Sequence, residues 1–566
     1  MKLKRMGLFI GFGVIILIIA CMYIGSKHGD PMQSPNIVVI IADDLGWNDV
    51  SFHGADEIPT PNIDALAYNG VILNRHYVLP ICTPSRTAFL TGRYPIRAGM
   101  QGFPLRGAEP RGIPLNDILL PEYLRRVGYT THLVGKWHVG YHTRNYGPTR
   151  RGFDTFVGYY NGYIQYFNHT LYESKQFGYD LHRIVGDNHT IEYNYKYMTD
   201  FITNEAKNII SSHNPAKPLY LQLAHLAAHV SDAEEGMEVR NWGKTNATLG
   251  YIKDINRRKY ASVVTTLDES VGRVIDALRR ADMLKNSIIV FMSDNGAQTE
   301  GILQNYGSNY PLRGLKFSLF EGAVRGVACI YSPLIEYSSR VSSQLFHITD
   351  WLPTLYSAAG GNPNDLKQLD GIDQWSVLQS ARDGKSIRKS ILLNIDEKEN
   401  SAAALIGHYK LVKDNSEYQK YYNYSGNNPL YPKYNATNVL SSSAASAIAS
   451  ISTFVLNANK IMQLRKEATV VCKNFTNFSN CKNRTCLFNI YEDPCETTDL
   501  FMKYPEDAER LNMFIDHYKS VLMNQTNAPV DPAGFPRNFN DTWMPWLPDD
   551  YQSISEMHFT MNEVTS

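Results

Sequence analysis

The stretch "ICTPSRTAFLTGRYP", Ile81 to Pro95, carries a single cysteine in a polar, turn-like setting. Pro80 and Pro84 flank Cys82, Arg86 follows four residues after it, and the segment offers no second cysteine. A thiol in such a setting can be half of a disulfide, a nucleophile or a metal ligand. The motif is too short to decide among these, so the residues it would work with have to be found elsewhere in the chain.

Acidic side chains follow two apolar runs of the sequence. "NIVVII" leads into "ADDLGW", which contains Asp43 and Asp44, and "SIIVFM" leads into "SDNG", which contains Asp294 and Asn295. Ligands of open α/β sheets bind outside the carboxyl ends of the strands, so the two motifs predict one shared site. Three carboxylates and an amide oxygen form a hard oxygen cage that favours Ca²⁺ first and Mg²⁺ second. A single such aspartate would equally be a helix cap or a turn residue.

Basic side chains follow further apolar runs. They are Lys136 and His138 in "HLVGKWHVG", His229 in "LYLQLAHLAAHV" and Lys316 in "PLRGLKFSLFEG". Taken singly, a histidine on an apolar run is usually a hydrogen-bonded core residue and a lysine is usually a solvated surface charge. Their joint occurrence just after apolar runs predicts a cationic cluster that binds a dianion beside the metal.

The elements that would position these residues are those of an α/β protein. Asn36 to Ile41 and Ser287 to Met292 are near-continuous β-branched runs, typical of buried parallel strands. "LPEYLRRVG" predicts a helix that ends at Gly128, and apolar residues at three- and four-residue spacing from Tyr260 to Leu278 predict a long amphipathic helix. We therefore expect a large catalytic domain at residues 34–385, with a mostly parallel central sheet flanked by helices.

The composition changes after about residue 385, which predicts a smaller C-terminal α+β domain at residues 386–550. A chain of 566 residues exceeds the usual size of one hydrophobic core and agrees with two domains. "IGHYKLV" is interpreted as an isolated strand. "SSSAASAIASIS", Ser441 to Ser452, is of low complexity and is interpreted as part of an inserted, partly flexible segment.

The charge balance limits the partners of the protein. Lysine plus arginine and aspartate plus glutamate each total 55, so the net charge is zero. No global field draws nucleic acid or an acidic membrane surface, and no nucleic-acid partner is expected. Any selectivity for an anion must therefore come from local groups.

The N-terminus predicts entry into the secretory pathway. "MKLKRM" precedes the uncharged run from Gly7 to Gly25, so residues 1–26 are a signal peptide or a signal anchor, and a membrane association is expected only if this leader stays uncleaved. Ten N-x-S/T sequons agree with an exported glycoprotein. They start at Asn168, Asn188, Asn246, Asn423, Asn435, Asn474, Asn477, Asn483, Asn524 and Asn540.

The seven cysteines are unevenly placed. Four lie close together near the C-terminus: Cys472, Cys481, Cys486 and Cys495. In an oxidising compartment they are expected to form two disulfides, with three pairings open, and a zinc site is the alternative. Cys329 lies in an apolar run and is interpreted as a buried thiol. Cys82 is left without a partner.

These motifs together resemble the sulfatase family. "CTPSRTAFLTGR" is similar to the sulfatase signature, and "ADDLGW", "GKWHVG", "SDNG" and "PLRGLKFSLFEGAVRG" follow in the family's order. The chain looks like the animal arylsulfatase B group, which includes the arylsulfatase I and J types, from about residue 34 to at least 415, with a weaker match in "CLFNIYEDPCETTDL". The resemblance implies an alkaline-phosphatase-like fold for the large domain.

The resemblance also implies a cofactor and a modified residue. The cysteine of the CxPSR core, here Cys82, would be oxidised to formylglycine by the formylglycine-generating enzyme of the endoplasmic reticulum. One Ca²⁺ would be held by Asp43, Asp44, Asp294 and Asn295, with the modified Cys82 facing it. A sulfate pocket would be lined by Arg86, Lys136, His138, His229 and Lys316.

In the mechanism that the resemblance implies, one hydroxyl of the hydrated aldehyde attacks sulfur, and later deprotonation of the second expels the sulfate. Arg86 and Lys136 would stabilise the sulfuryl oxygens. His229 and Lys316 would protonate the departing alcohol, and His138 would take the proton that releases sulfate.

The predicted function is a Ca²⁺-dependent, lysosomal or extracellular sulfatase. By analogy its substrate is a sulfated sugar, such as an N-acetylgalactosamine 4-sulfate end of a glycosaminoglycan, or a small aryl sulfate. Alternatives are a phosphoesterase on the same scaffold, which would use serine or threonine and two metals, and a catalytically silent glycan-binding homologue.

Departures from the arylsulfatase B pattern affect substrate choice more than chemistry. "GAEPRGIPLN" lacks the cysteine pair common after the signature, and "LAAHV" lacks the acidic residue and proline that often follow the histidine. Phe153 to Tyr197 is rich in tyrosine and asparagine and is interpreted as a loop wall near the site, with aromatic rings available to stack on a sugar.

Overall fold

The computed structural model of the protein describes residues 34–380, 386–415, 423, 425–472 and 478–551. The predicted leader at residues 1–26, the predicted domain boundary at 385 and the sequons at Asn474 and Asn477 lie outside the described residues. Within the described ranges, no helix has both the length and the apolar character needed to cross a membrane.

The described residues form eighteen strands and thirteen α-helices. The strands are β1 (Asn36–Ala42), β2 (Val71–Leu73), β3 (His76–Tyr77), β4 (Thr130–Lys136), β5 (Thr155–Tyr159), β6 (Thr170–Glu173), β7 (Gln176–Tyr179), β8 (His182–Val185), β9 (Asn188–Ile191), β10 (Leu219–Ala224), β11 (Ser287–Ser293), β12 (Ala328–Tyr331), β13 (Arg340–Ser342), β14 (Phe346–His347), β15 (Ser390–Asp396), β16 (Ser401–Ile406), β17 (Tyr409–Lys413) and β18 (Thr485–Asn489). The helices are α1 (Pro61–Asn69), α2 (Cys82–Thr91), α3 (Leu120–Arg126), α4 (Met198–Ser212), α5 (Trp242–Leu249), α6 (Ile255–Arg280), α7 (Glu321–Val324), α8 (Trp351–Ala358), α9 (Trp375–Leu378), α10 (Ala436–Leu440), α11 (Ser443–Ala449), α12 (Ala458–Ala468) and α13 (Pro505–Lys519).

Ten strands form the central sheet, in the order β13-β2-β12-β11-β1-β10-β4-β5-β8-β9. The five strands β11, β1, β10, β4 and β5 pair in parallel, and antiparallel pairs continue the sheet on both sides of them. Sequential order is broken at every parallel pair except β4–β5, as crossover connections require. The mostly parallel sheet predicted from the sequence is confirmed.

Strand β1 explains why its sequence is apolar throughout. Val38 and Ile40 belong to the core on one face of the sheet, which contains the apolar positions of α6. Ile37, Val39 and Ile41 belong to the core on the other face, which contains residues of α2, α3 and α8. Because both faces of the sheet are covered, neither set of alternating positions contacts water, and apolar residues are favoured at both.

The predicted helices are also present. Helix α6 buries every apolar position predicted between Tyr260 and Leu278. Helix α3 ends at Arg126, two residues before Gly128, whose φ of +94° lies in the left-handed region that glycine adopts without a steric penalty.

A four-stranded antiparallel sheet, in the order β15-β16-β17-β18, forms the core of a smaller C-terminal region that also contains α13. The interpretation of "IGHYKLV" as an isolated strand is wrong. Ile406 ends β16, Gly407 turns the chain with a φ of +63°, and Tyr409 begins β17, so the motif spans a hairpin. The turn has only two residues, and a single glycine is its only turn signal. The motif therefore has the pattern of one strand.

The low-complexity stretch from Ser441 to Ser452 contains helix α11, and the expectation of a partly flexible segment is wrong there. Ala444, Ala447 and Ile448 are buried in the same core as α1 and α6 of the large domain. Small side chains allow the helix to approach its neighbours closely, which explains the alanine and serine content.

Two further expectations concern cysteines and the segment from Phe153 to Tyr197. The two predicted disulfides are present, as Cys472–Cys495 and Cys481–Cys486, and Cys329 is a buried free thiol. The segment 153–197 combines loops with regular structure, since it contains β5 and the hairpins β6–β7 and β8–β9.

Candidate active site

The acidic residues meet because β1 and β11 are adjacent and parallel. Ala42 and Ser293 are paired at the ends of these strands, so the residues that follow leave the sheet side by side. Asn295 Nδ2 donates to Asp44 Oδ1 at 2.6 Å, and the backbone N–H of Asp44 donates to Asp294 Oδ1 at 3.3 Å. Asp44 has a φ of +59°, a left-handed conformation that costs energy for a residue with a Cβ and is often found at functional sites.

Cys82 is the first residue of α2, where the chain enters the helix from the extended residue Ile81. Ser85 fixes this entry because its Oγ accepts from the Leu79 N–H at 2.9 Å and donates to the Leu79 carbonyl. Arg86 lies one helical turn after Cys82 and therefore on the same face. The Cys82 thiol is free and buried, and burial raises its pKa. An unmodified thiol here is held neutral, which makes it a poor nucleophile.

Three cations and three carboxylates form buried ion pairs at this edge of the sheet. Lys136 Nζ lies 2.7 Å from Asp43 Oδ2, Lys316 Nζ lies 2.8 Å from Asp44 Oδ2, and Arg86 Nη2 lies 2.8 Å from Asp294 Oδ2. Burial alone would raise the pKa of Asp43, but Lys136 and the other cations hold that pKa below its ordinary value. Burial and the neighbouring Asp43 carboxylate raise the pKa of Asp294. The cluster has no excess of either charge before a ligand binds.

The two histidines contact backbone carbonyls through opposite ring nitrogens. His229 Nδ1 lies 2.6 Å from the Val230 carbonyl oxygen and must carry the proton there, so its Nε2 is free to accept at 3.3 Å from Lys316 Nζ. His138 Nε2 lies 2.8 Å from the Leu105 carbonyl oxygen, and its buried Nδ1 has no hydrogen-bond partner in the described part of the chain. Burial lowers the pKa of both rings, so both are neutral.

Several buried polar atoms in the site lack hydrogen-bond partners among the described residues. They include Asp43 Oδ1 and Asn295 Oδ1, and on the cationic side Arg86 Nη1. Buried oxygens are nearly always paired, so these two open oxygens have the chemistry of donor atoms for a hard cation. Asp43, Asp44 and His229 also offer ligand atoms that all lie within 4.8 Å of one another. The residues fit Ca²⁺, and His229, assigned from the sequence to the sulfate pocket, lies near enough to share its surroundings.

The structure brings all of the predicted site residues into one cluster and adds neighbours that the sequence did not single out. Tyr163 stacks on the His229 ring at 5.2 Å between centroids. Asn305 Nδ2 donates to the backbone oxygens of Asp44 and Ala228, and so joins two of the loops that form the site. Tyr163 lies in the segment flagged for aromatic stacking, whereas no signal in the sequence distinguishes Asn305.

A buried cysteine at a helix N-terminus, between hard oxygen donors and fixed cations at the carboxyl edge of an α/β sheet, defines a class of ester hydrolases that act on oxyanions. Comparison with known proteins places the chain within that class. The sulfatase family model matches residues 35–361, so the chain belongs to the sulfatase family. Because the relatives that it matches are sulfatases, the protein is a sulfatase enzyme.

Three comparisons define the relationship. The chain is 36% identical to arylsulfatase J of Mus musculus over 526 residues, which cover 92% of this chain and 81% of the relative. It is 31% identical to N-acetylgalactosamine-6-sulfatase of Mus musculus, over 63% of this chain and 68% of the relative. The crystal structure of Ps i-CgsB in complex with k-i-k-neocarrahexaose superposes with a TM-score of 0.66 at 25% identity, over 87% of this chain and 94% of that one. The resemblance to the sulfatases and their fold is thereby confirmed.

Proposed function

We propose that the protein hydrolyses sulfate monoesters with a nucleophile derived from Cys82 by oxidation to formylglycine. The observation that carries the proposal is the setting of Cys82, which is free and buried, with Lys136 and Lys316 as the cations that act most strongly on it. Oxyanion substrates need such fixed positive charge, and a neutral buried thiol would gain nothing from it. The modification would be made by a formylglycine-generating enzyme during passage through the secretory pathway.

The metal would be Ca²⁺, held by the oxygens of Asp43, Asp44, Asp294 and Asn295. When bound, the calcium ion supplies positive charge to the sulfuryl oxygens, and the formylglycine hydrate supplies the attacking hydroxyl. The open oxygens Asp43 Oδ1 and Asn295 Oδ1 support this assignment. They would otherwise stay buried and unpaired at a cost in stability.

Arg86 and Lys136 would bind the sulfuryl oxygens. Both are buried and both are already oriented by carboxylates, so little reorganisation accompanies the growth of negative charge in the transition state. Arg86 also has an unpaired Nη1 to offer to the substrate.

Lys316 and His229 would manage the proton on the leaving oxygen. Although burial opposes it, Asp44 and the other anions raise the pKa of Lys316, so the ammonium stays charged and can donate. His229 Nε2 accepts a hydrogen bond from that ammonium and would orient it toward the leaving oxygen, so that Lys316 gives the proton to the alcohol and regains one from solvent. The unpaired Nδ1 of His138 would accept the proton whose loss releases sulfate.

The substrate class would be sulfated sugars. N-acetylgalactosamine-6-sulfatase, by its name, acts on such a substrate, and the neighbour Ps i-CgsB was crystallised with an oligosaccharide. A lysosomal or extracellular location is supported by the two disulfides and by the sequons. All eight sequon asparagines within the described residues are exposed, where glycans could be attached.

The test is a peptide mass across residue 82, on protein secreted from an animal cell, together with turnover of 4-nitrocatechol sulfate. We expect the mass of an aldehyde in place of the thiol, and hydrolysis of the sulfate ester far above that of 4-nitrophenyl phosphate. An unmodified thiol without turnover would favour the silent glycan-binding homologue, and faster turnover of the phosphate would favour the phosphoesterase.

A further inference from the structure

A cleft of about 310 Å³ opens directly beside the catalytic residues and is not used by the chemistry described above. Pro80 and Ile81 line it just before Cys82, and Phe317 lines it just after Lys316. We call it the Phe cleft, defined by Phe103, Phe317, Arg106, Asn394, Lys398 and Asn527. The large domain provides the first three residues and the C-terminal region provides the others.

The floor of the Phe cleft is aromatic. Phe103 and Phe317 are stacked with ring centroids 6.1 Å apart, and Phe103 is 50% exposed. Phe317 has a φ of +75°, an uncommon and strained conformation for a bulky residue, and its N–H donates to the Pro80 carbonyl at 2.9 Å. Strain of this kind persists where the position of a residue matters, and here it fixes an aromatic ring next to Lys316.

The rest of the cleft lining is polar, and one of its buried amide oxygens is unpaired. Asn394 is only 9% exposed, and it lines the cleft. Asn527 Nδ2 donates to the Phe103 carbonyl, and its buried Oδ1 has no partner within the described ranges. Gln525 is held in place because its Nε2 donates to Asp396 Oδ1 at 2.5 Å. Amide groups and aromatic rings in one cleft suit a ring that carries hydroxyl or amide groups.

The charges and size of the Phe cleft narrow the ligand further. Arg106 and Lys398 are matched by Asp396 and Glu399, so the lining carries no net charge. A uniformly cationic lining would be expected for a polyanionic chain, and it is not found among these residues. About 310 Å³ is at the lower end of small-molecule sites, which suits one ring rather than several.

We propose that the Phe cleft binds the leaving-group ring of the sulfate ester, a single neutral pyranose at a chain end, stacked on Phe103 and Phe317 and hydrogen-bonded to Asn394 and Asn527. The inference rests on the proposed function, because it places the sulfate of the same molecule in the pocket beside Cys82. It makes the C-terminal region part of the substrate site and assigns substrate choice to the contact between the two regions.

The test measures binding without turnover. In the Cys82→Ala background with Ca²⁺ present, calorimetry gives the Kd of N-acetylgalactosamine 4-sulfate and, separately, of inorganic sulfate. We expect Phe103→Ala to raise the Kd of the sugar sulfate about tenfold, since it removes a ring contact, and Asn394→Ala to raise it about fivefold. Neither change should alter the Kd of inorganic sulfate. Phe454→Ala, at another exposed phenylalanine (44% exposed), is the matched control and should change neither Kd.

The outcomes separate the cleft from the function. If both ligands bind and neither Phe103→Ala nor Asn394→Ala affects the sugar sulfate, the cleft proposal is overturned and the sulfatase function stands. If neither ligand binds, the cleft proposal falls, and turnover of 4-nitrocatechol sulfate by the wild type then decides the function. Tighter binding of an internal stretch of a sulfated chain than of its end would also overturn the single-ring proposal.

Discussion

Two of the buried charge clusters in the described residues can be compared, one around Cys82 and one at the contact between the large domain and the C-terminal region. We call the second group the junction cluster, defined by Glu321, Lys410, Glu496 and Tyr77. Lys410 Nζ lies 2.9 Å from Glu321 Oε1 and 2.8 Å from Glu496 Oε1. The Glu321 N–H donates to Glu496 Oε2 at 2.7 Å, and the Tyr77 hydroxyl donates to Glu321 Oε2 at 2.9 Å. All of these side chains are fully buried.

The two clusters contain similar charged groups but differ in how those groups are paired. In the junction cluster each of the four carboxylate oxygens lies within 2.9 Å of a donor or of the Lys410 ammonium, and Glu496 Oε1 meets that ammonium as an ion pair rather than a hydrogen bond. These contacts join α7 to β17 and to the residue after Cys495. In the active site Asp43 Oδ1, Asn295 Oδ1 and Arg86 Nη1 are left open. Close contact of every carboxylate oxygen with a donor or a cation is typical of a cluster that stabilises the fold, whereas several buried atoms without a close partner indicate a ligand site.

The largest expected effect comes from removing the proposed nucleophile. We expect Cys82→Ala to lower kcat/KM for 4-nitrocatechol sulfate by more than about 10⁴-fold, as loss of a nucleophile generally does, with an unchanged Tm. Cys329→Ala is the matched control, because Cys329 is also a buried free thiol but lies in β12. It should lower the Tm slightly and leave kcat/KM unchanged. Activity that survived Cys82→Ala would contradict the proposed mechanism.

A substitution in the junction cluster is expected to lower stability and leave activity unchanged, the reverse of Cys82→Ala. Lys410→Met would leave Glu321 and Glu496 buried without their shared cation, which costs about 3–5 kcal/mol of unfolding free energy. Urea unfolding measures the loss, and kcat/KM of the protein that remains folded should be unchanged. Lys413→Met, three residues along the same strand, is the control. The triple change with Glu321→Gln and Glu496→Gln should recover much of the loss, and failure to recover it would argue against a charge effect.

Calcium binding is expected to have a smaller effect, on the free energy of unfolding. Because ligand binding stabilises only the folded state, Ca²⁺ at a hundred times its Kd should add about 2.7 kcal/mol to the free energy of unfolding. Asn295→Ala should abolish this gain, whereas Lys410→Met should keep it on a lower baseline. A calcium effect that disappeared in Lys410→Met and persisted in Asn295→Ala would place the metal away from the active site.

The sequence predicted those parts of the fold that depend on one continuous pattern. Strands β1 and β11 were located to within a residue because both faces of the central sheet are covered. The Ala402–Ala404 part of β16 has weak strand propensity and is held by its neighbours, so no local signal announced it. The hairpin at Gly407 was missed because its two-residue turn contains a single glycine.

The sequence predicted which residues belong to the active site, but not which of them pair with each other. Asp43 and Asp294 follow recognisable strands, so topology alone brings them together. Which cation meets which carboxylate depends on side-chain placement that spacing does not encode. The junction cluster gave no signal at all, since Glu321 lies 89 positions from Lys410 and 175 from Glu496, and each resembles an ordinary surface residue in its local sequence.

The smallest predicted effect distinguishes the two clusters by pH. Burial and the Glu321 carboxylate raise the pKa of Glu496 to about 7, against the attraction of Lys410, from an ordinary value of 4.5. Between these values the folded protein holds a proton that the unfolded chain has lost. Stability from this group is therefore fully present below pH 4.5 and is lost as the pH rises through about 7.

Glu496→Gln cannot ionise and should lose this dependence. Relative to the variant, the wild type should become less stable by about 2 kcal/mol between pH 5 and pH 8, measured as unfolding free energy at each pH. The exposed Glu492→Gln is the control and should follow the wild type. A wild-type curve that stayed flat relative to Glu496→Gln between pH 5 and pH 8 would mean that Lys410 holds both carboxylates ionised in the folded protein, and that burial does not raise the pKa of Glu496.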